Sequence, residues 1–212
     1  MKYTNNFSIS NNTTKSYSQI NQDIWVLEKT NYKRNGYYID IGCADGEKIS
    51  NTFLLDKHYN WSGLAIDINA RNMIDRTCNV FKGLVYDEDK VVEFIKADFN
   101  LDFSGIKDHL TNIFRLKDKT KTSPIEKHQT IVTQKVFDAY NVPKYIDFLS
   151  LDVEGSELNV LKGIDFNKHI FKILMIEHNF EQPSRDNIRK YLAERNYKYV
   201  TSNQWDDIYM VI

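Results

Sequence analysis

The fold turns on Tyr37-Tyr38-Ile39-Asp40-Ile41-Gly42-Cys43-Ala44-Asp45-Gly46, residues 37–46. Its aromatic and β-branched opening predicts a short strand that ends at Gly42, and residues 50–55 (Ser-Asn-Thr-Phe-Leu-Leu) continue in helical register. Strand, turn and helix therefore follow in that order. The cycle returns downstream, with a strand over 63–67, a short helix over 69–76 and a strand over 79–85. Residues 146–152 and 172–177 predict two more strands, separated by a helix through Leu158, Val160 and Leu161; each ends in an acidic residue. Ser184 is placed to cap a helix over 185–195, with Asp186 near its positive end, before closing strands over 197–201 and 208–212. Upstream, Ile20, Ile24, Trp25 and Leu27 recur at helical spacing and predict an amphipathic helix over 20–30, packed on the sheet edge. Short strands over 91–95 and 130–133 flank a polar insert carrying Lys117, Lys119, Lys121 and Pro124. Such alternation specifies an α/β protein with a mostly parallel sheet and helices on both faces.

Bulk properties narrow the classes. A chain of 212 residues fits one α/β domain, expected over 19–212. Residues 1–18, rich in Asn, Ser and Thr, are expected to form a flexible arm, and they lack the apolar core of a signal peptide. No apolar run approaches the ~20 residues of a bilayer span. With 28 basic against 29 acidic residues, no global field draws the chain to DNA or to an anionic membrane, so neither is an expected partner. Cys43 and Cys78 match neither a disulfide framework nor a zinc pattern, which points to a reducing, cytoplasmic setting. The oligomeric state is left open, a homodimer included.

The turn at 40–46 is a candidate ligand site. Gly42 lets backbone approach a ligand, and a following helix N-terminus offers N–H groups to an anion. The spacing is neither G-x-G-x-x-G nor a P-loop, which disfavours a pyrophosphate. Alone, the heptad reads equally well as an ordinary Gly-Asp turn. Asp67 changes the balance, because an acidic residue at the end of the next strand can take both hydroxyls of a ribose. An adenosine with a zwitterionic tail would then use Asp67 for the sugar, Asp40 for the ammonium and the Gly42 turn for the carboxylate. That description fits S-adenosylmethionine.

Several separated segments resemble the FkbM family of methyltransferases, over roughly 19–212. They are Ser18-Gln19 with Gln22-Asp23, residues 38–46 with Ser50-Asn51-Thr52, and Trp61-Ser62-Gly63-Leu64-Ala65-Ile66-Asp67. The most specific is Ile146-Asp147-Phe148-Leu149-Ser150-Leu151-Asp152-Val153-Glu154-Gly155-Ser156-Glu157-Leu158, followed by Val160-Leu161-Lys162-Gly163 and Ile176-Glu177-His178-Asn179. Asp67-Ile68-Asn69 stands where the family usually has Glu-Pro. The resemblance implies a Rossmann-like class I methyltransferase fold with a seven-stranded sheet, methyl donation from S-adenosylmethionine, and a hydroxyl acceptor, often on a sugar or glycan. Expected cofactor contacts are Gln19, Asp40, Gly42, Asp45, Ser50, Asp67, Ile68 and Leu84.

A sugar hydroxyl is a poor nucleophile at neutral pH, so a base or a metal must activate it. Asp152, Glu154, Glu177 and His178 all follow strand ends and are expected to converge beside the donor methyl. In one reading His178 or Asp152 takes the proton; in the other Asp152, Glu177 and His178 hold Mg²⁺, an arrangement similar to that of macrolide-sugar methyltransferases. Glu154 fits catalysis or helix-dipole compensation, and Glu157 fits the dipole better. Two rival readings stand beside this one, an RNA ribose 2'-O-methyltransferase and a non-catalytic adenosine-ligand binding module.

Overall fold

Strand β1 (Tyr37–Ile41) alternates Ile39 and Ile41 into one apolar layer and Tyr38 into the other, as a strand buried on both faces must. The computed structural model describes residues 15–212. Around β1 lie β2 (Ser62–Ile66), β3 (Asn79–Phe81), β8 (Tyr145–Leu151), β9 (Ile170–Glu177), β10 (Tyr197–Asn203) and β11 (Asp206–Val211). They form a mixed seven-stranded sheet in the order β10-β11-β9-β8-β1-β2-β3. Neighbours from β9 to β3 are parallel, and β11 is antiparallel to both β9 and β10.

One face carries α5 (Thr133–Ala139), α6 (Glu157–Lys162) and α7 (Ser184–Ala193), which bury Phe137, Leu161 and Leu192 with Ile39, Leu64 and Leu174. The other carries α1 (Gln22–Lys29) and α2 (Phe53–Tyr59), with Trp25, Leu27 and Leu54 against Phe148, Ile173 and Ile208. Each fully buried Leu, Ile or Phe contributes about 1.5–3 kcal/mol of transfer free energy.

A second sheet, order β4-β7-β5-β6, joins β4 (Leu84–Tyr86), β5 (Val91–Ile95), β6 (Gly105–Ile106) and β7 (Ile125–Val132). Between β6 and β7 run two short helices, α3 (Lys107–Leu110) and α4 (Phe114–Lys117), which supply Leu110 and Leu116 to a small core with Ile95 and Ile113. The polar insert expected after residue 95 thus holds β6, α3, α4 and most of β7, with an apolar cluster of its own.

Several expectations are corrected. The strand expected over 79–85 is two strands in two sheets, because the chain turns at Lys82-Gly83 after β3 has paired with β2 and before β4 pairs with β7. No helix forms over 69–76: the Asp67 carboxylate accepts from Asn69 N at 2.6 Å, Asn72 sits at φ 54°, and Arg76 is drawn inward, so side-chain bonds outcompete the helical ladder. Helix α1 packs on a sheet face through Trp25 and Leu27 and not on an edge. Ser184 is the first residue of α7, whose cap position is Pro183 without a side-chain bond. Of the expected arm, residues 1–14 lie outside the described residues. Residues 16–18 are tied down, since Asp23 accepts from Ser16 Oγ at 2.6 Å, Tyr17 N at 2.8 Å and Ser18 Oγ at 2.8 Å, and Ser18 bridges to Ile49.

Candidate active site

The parallel strands β1, β2 and β8 end side by side, and the turns that leave them build a cleft. Gly42 (φ 86°) lies so close to β8 that a Cβ would come within 1.6 Å of the Asp152 carbonyl oxygen. Its N–H donates to Ile66 O at 2.8 Å, while Asp152 N donates to Ile41 O at 2.9 Å. The glycine is therefore required by strand-end packing as well as by any ligand. Its positive φ adds a second reason.

Gln19, Asp40, Gly42, Ser50, Asp67, Ile68 and Leu84, all expected at a cofactor site, line this cleft together with Asp152 and Glu154. Asp45 does not line it. Its Oδ1 accepts from Glu47 N and Lys48 N at 3.0 and 2.9 Å and its Oδ2 from Asn72 Nδ2 at 2.6 Å, so it pins the loop instead. Helix α2 begins at Phe53, well after the turn, and Ser50 Oγ accepts from Phe53 N at 3.2 Å at its start. The helix N-terminus expected directly behind Gly46 is thus displaced along the chain.

Asp67 is held by two backbone donors, Ala44 N at 3.0 Å on one oxygen and Asn69 N at 2.6 Å on the other. Each oxygen keeps a lone pair for a further donor. Asp40 is buried, and its carboxyl is pushed up to about 6 by burial, tempered by a 2.6 Å bond from Thr52 Oγ1 and by the Arg76 charge. Arg76 is itself fully buried. It donates to Asp56 Oδ2 at 2.9 Å, Tyr38 OH at 2.7 Å, Gly46 O at 2.7 Å and Thr52 Oγ1 at 2.8 Å, which ties α2, β1 and the loop together behind Asp40. Cys43 is buried and its thiol raised well above the ordinary value by burial, as suits a space-filling side chain.

At the floor, Asp152, Glu154 and Glu177 bring carboxylate oxygens within 4.8 Å of one another. The turn after β8 does this through left-handed backbone at Glu154 (φ 52°) and Gly155 (φ 104°). Burial raises all three carboxyl pKa values, and the Asp152 charge adds to it at Glu154 and Glu177. Asp152 and Glu177 crowd one another, and that proximity disfavours ionising both at once. Arg115 of α4 reaches in, 3.1 Å from Glu177 Oε1 and 3.5 Å from Glu154 Oε2, and also bonds to Asn179. Asn179 donates to Glu154 Oε2 at 3.2 Å and to Glu177.

His178, expected as a base or metal ligand with Asp152 and Glu177, stands apart from this group. Its Nδ1 accepts from Phe180 N at 2.9 Å, and its Nε2 lies 3.5 Å from Asp207 Oδ1 on β11. Burial pushes its pKa down to about 4. Alternation along β9 is the reason: Glu177 ends the strand facing Asp152 and Glu154, and the next residue turns away. Glu154 lies with Asp152 and Glu177. Glu157 accepts from Gly155 N at 2.9 Å and Val153 N at 3.2 Å at the start of α6, a structural role.

The family model of the methyltransferase FkbM domain matches residues 40–199, from Asp40 on β1 to Tyr199 on β10. The chain belongs to the FkbM methyltransferase family. Comparisons with curated proteins and with solved structures give no match.

Within this FkbM domain, some cleft residues carry no advance signal in the sequence. Phe94 of β5 and Gly105 and Ile106 of β6 close the cleft from the second sheet, beside Asp102 and Ser104. Arg115 lay in an insert read only as polar. Gln22, quoted in the resemblance, lines the cleft and donates to buried Asp206 Oδ2 at 2.9 Å, whose carboxyl is pushed up to about 7 by burial and then by the Asp152 charge. Among the described residues no helix is long and apolar enough to cross a membrane.

Proposed function

We propose that the protein is an S-adenosylmethionine-dependent O-methyltransferase of Rossmann-like class I fold, acting on a hydroxyl of a sugar or glycan. The observation that carries this reading is that Asp40, Gly42 and Asp67 share one cleft with Asp152 and Glu154. The sheet, with β11 alone opposed to the other strands, is in keeping with the fold proposed.

In this reading Asp67 accepts the two ribose hydroxyls, with its geometry fixed in advance by Ala44 N and Asn69 N. Asp40 faces the ammonium group, and the backbone around Gly42 the carboxylate. The bound cofactor supplies an electrophilic methyl. The acidic surroundings suit its positive charge, because a cation nearby returns raised carboxyl pKa values toward the ionised form. Asp152, half-buried at the floor, accepts the acceptor's hydroxyl proton, beside a Glu177 carboxylate that Arg115 and Asn179 hold in place.

A second reading rests on the close set of carboxylates. Asp152, Glu154 and Glu177 offer the hard oxygen donors that Mg²⁺ takes, and the ion would lower the pKa of a coordinated hydroxyl. Arg115 and Asn179 already occupy oxygens of that set, so the simple base ranks first. A cytoplasmic setting accords with two unpaired cysteines.

The test is incubation with isotope-labelled donor and a panel of sugar glycosides and RNA oligonucleotides, with the methylated atom mapped by NMR. Label on a sugar oxygen is the expected result. Label on an RNA ribose would move the function to the RNA class, and donor binding without turnover on any acceptor would make the protein a binding module. Full activity in chelator would remove an essential metal.

A further inference from the structure

A second cleft lies next to the catalytic floor and shares Asn179 with it. It holds about 390 Å³, within the ~300–1,000 Å³ of small-molecule sites. Two elements form its walls. One side is α3 and the turn after it, with His109, Asn112 and Ile113; the other is the β9–α7 loop and α7, with Asn179, Gln182, Pro183 and Asn187. Gly155, Leu158 and Asn159 of the β8–α6 segment lie between them. Asn179 belongs to both places, because its amide bonds to Glu154 and Glu177 of the acid group.

The lining has a distinct chemistry. Its polar side chains are mainly uncharged amides, Asn112, Asn159, Asn179, Gln182 and Asn187, with Ser184. Its charged members, Glu157 and Glu181, are acidic, and neither Lys nor Arg lines it. An anion would therefore meet only like charge, so phosphate and nucleic-acid backbones are poorly served. Ile113, Leu158 and Pro183 supply apolar surface between the amides. Amides offer a donor and an acceptor in one plane, matching adjacent hydroxyls, and apolar patches match C–H faces. Asn187 is exposed on α7, and its side chain makes no hydrogen bond among the described residues.

His178 lines the same cleft, is almost fully buried, and its Nε2 has no hydrogen-bond partner. Since Nδ1 accepts from Phe180 N, Nε2 carries the proton of the neutral ring, and Asp207 Oδ1 at 3.5 Å is too far to take it well. A buried donor left unmade is costly, and the acceptor nearest this one, Asp207 Oδ1 on β11, lies outside the cleft lining.

The geometry points to this cleft as a binding subsite for a neutral carbohydrate unit, the part of a glycan acceptor next to the sugar that is methylated. The inference deepens the sugar O-methyltransferase reading and rests on it for the word acceptor, but the cleft's own chemistry carries the ligand class.

The experiment titrates the ¹⁵N-labelled full chain with methyl α-glucoside, methyl α-galactoside, maltose and lactose, and with inorganic phosphate as the anionic probe. Expected are shifts of the Asn112, Asn159 and Asn187 side-chain amides with a neutral sugar, tighter for a disaccharide than for a monosaccharide. The surface pair Asn112→Leu and Asn187→Leu should together weaken sugar binding about tenfold, the loss of one or two hydrogen bonds. Donor affinity, followed by calorimetry on the same samples, should stay within about twofold of the parent, since neither residue lines the donor cleft. Silence of those amides with every sugar, a larger response to phosphate, or unchanged sugar affinity in the double variant overturns the subsite. Sugar binding here with no donor binding keeps the subsite and removes the methyl-transfer reading; donor binding with silent amides does the reverse.

Discussion

At Asp67, two backbone N–H groups hold a half-buried carboxylate whose pKa is raised by burial. A side chain so fixed loses little entropy on gripping a diol, and Asp67→Ala should weaken donor binding by roughly one to two orders of magnitude, the range for hydrogen bonds to a charged group. Calorimetry on the variant checks this, with an unchanged circular dichroism spectrum required alongside. Asp152 differs in kind. Asp152→Ala is expected to cut methyl transfer by at least about a hundredfold while donor affinity changes little, as for loss of a general base. Equal turnover in variant and parent would remove Asp152 from the chemistry. Gly42 is bound to the backbone itself: a methyl group would sit 1.6 Å from the Asp152 carbonyl, so Gly42→Ala should push β1 and β8 apart and lower the melting temperature as well as activity. The motif around Gly42 was legible because turn chemistry is local. That its tightest neighbour is Asp152, far along the chain, was not.

Among elements, the loop from β1 to α2 and the turns after β2 depend on Arg76. Its guanidinium is fully buried and bonded to Asp56, Tyr38, Thr52 and Gly46, and Asp56 also accepts from Thr77 Oγ1 at 2.6 Å. Removing one partner leaves the Asp56 charge buried, so Arg76→Met should cost about 3–5 kcal/mol. Urea unfolding measures it, and a loss below about 1 kcal/mol would mean that water replaces the guanidinium. The expected helix over 69–76 failed for the same reason. Periodicity records which residues are apolar; it does not record that Arg76 is pulled inward by an acid on α2. The strand expected over 79–85 failed similarly, because Val80 and Val85 are equally strand-forming and nothing local tells that they pair with different sheets.

For the whole molecule, the concentration of buried acids around the cleft governs pH dependence. Burial pushes Asp206 and Glu157 up to about 7 and Asp40 to about 6, with Glu154 and Glu177 also raised. A carboxyl whose folded pKa exceeds its unfolded value of ~4 binds its proton more tightly when folded. Its stabilisation is full below that unfolded value and is lost as pH rises through the folded pKa. His178 and Asp207, pushed down to about 4 and about 2, act oppositely, their contributions fading as pH falls through about 6.5–4 and about 4–2. Between pH 8 and 6 the raised acids dominate, so the ligand-free protein should melt at a higher temperature at pH 6 than at pH 8. Scanning calorimetry at the two values decides, and a flat or reversed trend would mean that those carboxylates are ionised in the folded state. A cationic ligand in the cleft should shrink the difference by stabilising the ionised forms.

The amino-acid sequence by itself determined the α/β alternation, the central strands, and the cleft positions of Asp40, Gly42, Asp67 and Asp152. Each is written in local periodicity or at the end of a buried strand, where chemistry and chain position coincide. Only the tertiary structure decided the second sheet over the cleft, the entry of Arg115, the exclusion of Asp45, and the separation of His178 from Asp152, Glu154 and Glu177. Those outcomes depend on which way a side chain leaves a turn and on what a distant segment packs against it. Both are set by the closing of the core, and residue spacing alone does not encode them.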